Sequence, residues 1–137
     1  MDDQTQARIS AILEVPFNQH LGLILDEAGA GEARAHFDVG PEHLAFGGLH
    51  AGVLYSLMEA ACLFALLDSL DGSEHAVTHD LHASVMRSAR IGERCDLIAR
   101  VVRRGRTLAF VEARGEVGGK VIAAIQVTKS IVKPGAA

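Results

Sequence analysis

Residues 50–69 read HAGVLYSLMEAACLFALLDS, the one long helix candidate in the chain, closed by Asp71-Gly72. Apolar residues lie on nearly every side of it, so it must be buried on most sides. A single helix of this kind needs a surface that wraps it. The sequence downstream supplies strand candidates at 76–87, 93–104, 106–117 and 119–132, with turns marked by Gly92, Gly105 and Gly118-Gly119. They read as a meander of long antiparallel strands. Upstream, LGLILDEA (21–28) and EARAHFDV (32–39) read as a hairpin turning at Gly29 to Gly31. Residues 3–14 have helical spacing, with Ile9, Ile12 and Leu13 on one stripe and Pro16 just past the end. Phe17 to His20 reads as a short turn and 40–49 as loop. The expected class is α+β, with a strongly curved antiparallel sheet around one long central helix.

The chain has 137 residues, enough for one domain with a real core. The expected division is a single domain over 1–137, with a helix and lead-in at 1–16 and a frayed tail at 133–137. Apolar residues make up 49% and charged residues 22%, which is a globular and not a disordered composition. The formal net charge of -4 gives no general attraction to nucleic acid or anionic membrane. Aromatics at 4%, with Tyr55 alone and no Trp, argue against a base-stacking platform. The first residues, MDDQTQARIS, are acidic and polar, unlike a secretory signal. Val53 to Leu67, the best apolar run, is expected to be too short to span a membrane and carries Ser56 and Glu59. The expected location is cytoplasmic.

Glu59 is the one ionisable carboxylate between Val53 and Leu67. Burying it without partners costs several kcal/mol, on the order of a domain's stability margin. Either it lies on an exposed seam of the helix or it is kept for chemistry. Tyr55 and Ser56 stand one turn before it, Cys62 and Leu63 one turn after. Such a half-polar, half-apolar wall suits a general base. Gly47-Gly48-Leu49-His50-Ala51-Gly52 leads straight into the helix. It is either a plain tight turn or a place where backbone meets ligand, because the first N–H groups of a helix lack intrahelical partners. At about 100° per residue, His50 and Glu59 point to opposite sides of one helix, roughly 13 Å apart along it. A site that uses both therefore needs a second subunit, which favours a homodimer with equivalent sites.

HAGVLYSLMEAA resembles the HGGxxxxLxE/D-A signature of hotdog-fold acyl-CoA thioesterases of the phenylacetate-pathway and 4-hydroxybenzoyl-CoA type. PFNQHLGL resembles the family's N-terminal lead-in, and residues 76–132 its strand meander, with GRTLAF at one turn. The resemblance implies the hotdog fold, dimers or dimers of dimers, and active sites at subunit interfaces. It implies hydrolysis of an acyl-CoA, aryl or short- to medium-chain, to free acid and CoA. No cofactor or metal is implied; CoA is part of the substrate. Residue by residue, Glu59 would activate water or attack the thioester carbon, and the Ala51 N–H would polarise the thioester C=O. His50 and Gly52 would shape the turn, and Thr78 would help place water. Gly48, Leu44, Tyr55, Cys62 and Leu63 would line the substrate, and Arg103, Arg104 or Arg106 would meet CoA phosphates. The chain departs from the pattern at Leu44, where the family has Asn or Gln, unless His43 substitutes. It also has HAG for HGG, and Leu63 where Thr or Ser is common. Leu44 supports the alternative reading, a non-catalytic module that binds acyl groups or CoA. Hydration of a 2-enoyl-CoA would need a different Asp/His arrangement.

Other residues carry competing readings. His79 and His82 fall on opposite faces of a regular strand, so they cannot share a metal ion without a bulge. Cys62 has no His one turn away to activate it as a nucleophile. The arginines at 103, 104 and 106 read equally as a solvated hairpin. On the 76–87 strand, Thr78, Asp80, His82 and Ser84 share one face and Val77, His79, Leu81 and Ala83 the other. Neither face is clearly apolar, and Asp80 is a candidate inner-face orienting group.

Overall fold

The computed structural model describes residues 2–134. Helix α1 (Asp3–Leu13) starts where the Asp2 carboxylate accepts from the Thr5 N–H at 2.7 Å. Phe17 to His20 is not a turn: Pro16 opens a second short helix, α2 (Pro16–His20), because proline fits the first helical position. Strands β1 (Ile24–Gly29) and β2 (Glu32–Asp38) form the expected hairpin, with Gly29, Ala30 and Gly31 all at positive φ. The 40–49 stretch is more ordered than a loop. A 3-10 turn (Pro41–His43) leads into a small hairpin, β3 (Leu44–Ala45) and β4 (Gly48–Leu49). Its turn residues Phe46 and Gly47 have φ of 53° and 83°, the sense that matches strand twist.

Helix α3 (Ala51–Leu66) continues as a 3-10 turn to Ser69. The joined stretch, 19 residues at mean hydropathy 1.6, is long and apolar enough to cross a membrane, contrary to the sequence expectation. Here its apolar sides are taken up by the protein: Leu54, Leu57, Met58, Ala61, Cys62 and Leu66 are buried. The cover is a six-stranded antiparallel sheet in the order β1-β2-β6-β7-β8-β5, adding β5 (His75–Val85), β6 (Arg94–Arg104), β7 (Leu108–Val117) and β8 (Lys120–Val132). The meander holds for β6, β7 and β8. β5 departs from it, pairing with β8 at the far edge and not with β6, because α3 carries the chain across the sheet face before β5 begins.

The inner face of the sheet is rich in small side chains: Ala33, Ala35, Ala99, Ala109, Ala113 and Ala123 are buried. At Gly115 an added Cβ would lie 3.3 Å from Leu54 Cδ1, so Leu54 packs directly over the bare backbone of β7. Register shifts at 78/80 in β5, at 101/103 in β6 and at Ile122 of β8, opposite Gly115 and Glu116, add local bend and twist. The first of these resolves the ambiguous strand. Thr78 pairs with Lys129, while Asp80 pairs with Thr128, so the phase changes at His79. Thr78 joins Leu81 and Ala83 on the inner face, and Asp80 leaves it. Asp80 is exposed and bonded to His79 Nδ1 at 2.8 Å, not a buried orienting group.

Arg104 fixes the far end of α3. Its guanidinium donates to Glu74 Oε1 at 2.6 Å and to the Gly105 carbonyl at 2.5 Å. Arg8 of α1 donates to the carbonyls of Asp71 and Glu74 at 3.0 and 2.8 Å. The Asp71 N–H and then Arg104 hold the Glu74 carboxyl below its ordinary pKa. A lowered carboxyl stabilises the fold above its unfolded pKa, and that contribution disappears as pH falls through the folded value. Glu74→Gln should therefore lower the urea midpoint at pH 7. The gap from wild type should close as pH drops through and below the carboxylate range; a gap that widens in acid would contradict this assignment.

Candidate active site

The start of α3 is capped by His50. Its Nδ1 accepts from the Gly52 N–H at 2.8 Å, and its carbonyl accepts from Val53 N–H at 3.1 Å. A Cβ at Gly52 would come within 2.9 Å of the His50 ring, so glycine keeps this cap in place. The Ala51 N–H has no acceptor among the described residues and lies at the positive end of the helix. It is the donor in this turn that remains open to a ligand oxygen. Gly48 is needed for a close approach: a Cβ there would lie 2.6 Å from Ser88 Oγ, in the segment that crosses from β5 to β6.

Leu44 and His43 are structural. Leu44 packs against the core. His43 is buried, accepts from the Gly40 N–H through Nδ1 at 2.9 Å and meets the Leu21 carbonyl through Nε2 at 2.8 Å. With both ring nitrogens used, it does not stand in for the family's Asn or Gln.

Glu59 lies mid-helix beside an apolar cleft of about 400 Å³, walled by Ile12, Val15, Phe17, Tyr55, Leu63 and Leu81. Its side chain is 27% exposed, so it is neither sealed in the core nor on an open seam. Thr78 Oγ1 donates to Glu59 Oε1 at 2.6 Å. Lys129, only 2% exposed, donates to the same oxygen and reaches Thr78 Oγ1 at 3.0 Å. The sequence reading missed Lys129. The signal was present in the alternation of β8, where Ala123, Ile125, Val127 and Lys129 occupy successive buried positions.

Cys62 does not line the cleft. It is fully buried, and burial pushes its thiol up to about 12, with Glu59 adding to the rise and Lys129 opposing it. Arg103 and Arg106 are exposed on the β6–β7 hairpin, whereas Arg104 is spent on Glu74. That hairpin adjoins Ser69 at the C-terminal end of α3, so within one chain it is remote from Ala51. The bulge that a shared His79–His82 site would need is present, but His79 bonds Asp80. No trio of His, Cys, Asp or Glu gathers in metal-binding geometry among the described residues.

The thioesterase superfamily model matches residues 46–124, from the Phe46 turn through most of the meander. The chain belongs to this superfamily. Human acyl-coenzyme A thioesterase 13 is 34% identical over 119 residues, 84% of each chain. The zebra fish thioesterase superfamily member 2 structure has a TM-score of 0.81 and 29% identity, over 90% of this chain and 93% of that one. A point mutant of the phenylacetic acid degradation protein PaaI from Thermus thermophilus has a TM-score of 0.77 and 27% identity, over 84% and 97%. The fold is the hotdog fold of these thioesterases, and the chain is a thioester hydrolase.

Burial also raises the Cys95 thiol to about 12. Neither cysteine should react with iodoacetamide at pH 8 until the protein is unfolded, because the thiolate is the reactive form. Mass-shift analysis of native and urea-treated protein checks this, and alkylation of Cys62 in the native state would contradict the assigned burial.

Proposed function

We propose that the protein hydrolyses an acyl-CoA thioester to a free acid and CoA, with Glu59 as the essential carboxylate. The observation that carries this reading is a half-exposed carboxylate, held by Thr78 and Lys129, at the edge of an apolar cleft. The similarity to acyl-coenzyme A thioesterase 13 supports a CoA ester as substrate. The aliphatic and aromatic walls of the cleft suit an aryl or a short- to medium-chain acyl group. The Ala51 N–H donates to the developing oxyanion at the helix dipole's positive end. Glu59 takes a proton from water as the water adds to the carbonyl carbon, then returns it to the departing CoA thiolate. Direct attack by Glu59, through an anhydride that water cleaves, uses the same carboxylate.

Ala51 and Glu59 stand about 12 Å apart along one helix, too far to share a thioester. We therefore place the site between two copies, with Ala51 from one and Glu59 from the other. The open edge of β5 supports this arrangement. That strand is 11 residues long, and its apolar side chains Val77, Leu81 and Val85 are exposed. A long edge strand with apolar side chains exposed to water invites pairing with another chain. The exposed guanidinium groups of Arg103 and Arg106 are proposed contacts for CoA phosphates.

Release of free thiol from aryl- and aliphatic-CoA esters tests the activity. Glu59→Gln should lower kcat by about 10²- to 10⁴-fold with the fold intact. Full turnover in that variant would remove Glu59 from the chemistry. Light scattering at micromolar concentration should give at least twice the chain mass, and a monomer with full activity would refute the shared site.

A further inference from the structure

We propose that Lys129 is a positioning residue for thioester hydrolysis, clamping one oxygen of Glu59 so that the other is the one presented for reaction. This rests on the carboxylate reading above. Both protein contacts to the carboxylate fall on Oε1: Lys129 Nζ and Thr78 Oγ1 donate to it, and no hydrogen bond reaches Oε2 among the described residues. The clamp is closed, because Lys129 Nζ also lies 3.0 Å from Thr78 Oγ1.

The backbone explains why these groups meet. Thr78 and Lys129 are cross-strand partners in the β5–β8 ladder. Directly after them the ladder shifts register, so Thr78 faces the helix without forcing Asp80 to face it as well. Lys129 occupies an inward position that the preceding residues of β8 fill with Ala123, Ile125 and Val127. A lysine there breaks the apolar pattern and buries an ammonium, which is costly unless the charge is paired. A local rule broken in this way, with its partner a half-exposed glutamate in a cleft, marks function and not packing. A carboxylate on a flexible stem samples several rotamers, and misplacement of a reacting group by about 1 Å can cost on the order of 10²-fold in rate. The ammonium and the hydroxyl remove that freedom before substrate arrives. Lys129 itself touches no reacting atom.

The test is a cycle of wild type, Glu59→Gln, Lys129→Met and the double variant, each checked for fold by circular dichroism and assayed for kcat and KM. Lys129→Met should lower kcat by between about 10- and 100-fold, with KM little changed. In the Glu59→Gln background the same change should have almost no further effect, because Lys129 acts only through the carboxylate. A folded Lys129→Met with wild-type kcat overturns the proposal and leaves Glu59 in its role. A loss of equal size in both backgrounds also overturns it, since Lys129 would then act independently. Full activity in Glu59→Gln overturns the carboxylate reading itself and the proposal with it. Should Lys129→Met fail to fold, ¹⁵N-lysine NMR on the wild-type protein decides. A slowly exchanging ammonium signal that disappears in Glu59→Gln is expected, and no such signal in wild type sinks the clamp.

Discussion

An apolar helix cannot be left facing water, and the protein is organised around that constraint on α3. Its buried face runs from Leu54 to Leu66, and the sheet curves because it must reach several sides of one cylinder. Alanines on the inner face of the strands leave room for the helix side chains, and Gly115 leaves room for Leu54. The covering is incomplete at the β5 edge, and there the helix carries its glutamate. The site is thus placed at the boundary where the apolar cover ends, with an apolar wall on one side and charged groups on the other.

The pairing of Glu59 with Lys129 shows how that boundary is made tolerable. Removing one member of a buried ion pair typically costs about 3–5 kcal/mol, because the other charge is left without a partner. Here Thr78 supplies a further hydrogen bond, and the partial exposure of Glu59 keeps some hydration on the anion. At the start of the helix the situation is reversed. His50 takes the Gly52 N–H, the helix carbonyls close on themselves, and the Ala51 N–H is left open. One end of α3 therefore offers a donor and its middle offers an anion.

Much of this was legible in the sequence, for physical reasons. The periodicity and apolar content of α3 located the central element, and the glycines at 92, 105 and 118–119 located the turns of the last strands. Glu59 stood out as a lone carboxylate in an apolar run. What escaped was non-local. The shift at His79 exchanges the faces of half a strand, and no count of alternating residues within β5 reveals it. Lys129 was hidden for a related reason: it lies 70 residues from Glu59, and only the pairing of β5 with the far edge of the sheet brings them together. Arg104 read as a solvated charge or a CoA contact because its partner, Glu74, belongs to a turn that folds back on the hairpin. Cys62 was assigned to the substrate and His43 was offered as a stand-in for the missing Asn or Gln, but the packing around them leaves no ligand surface.

The floor beneath α3, alanines interleaved with larger residues such as Leu97, Val111 and Ile125, acts as a spacer gauge. Glu59 rides on α3 while Lys129 and Thr78 are anchored in the sheet, so the side chains packed between helix and strands govern the gap the clamp must span. A bulkier side chain at a floor position such as Ala113 or Ala123 would lift the helix and open the gap between anion and cation without touching either. Sequence drift in this layer is therefore a way to retune the reaction centre from below, and relatives with larger floor residues would need longer or differently placed arms to span the same distance.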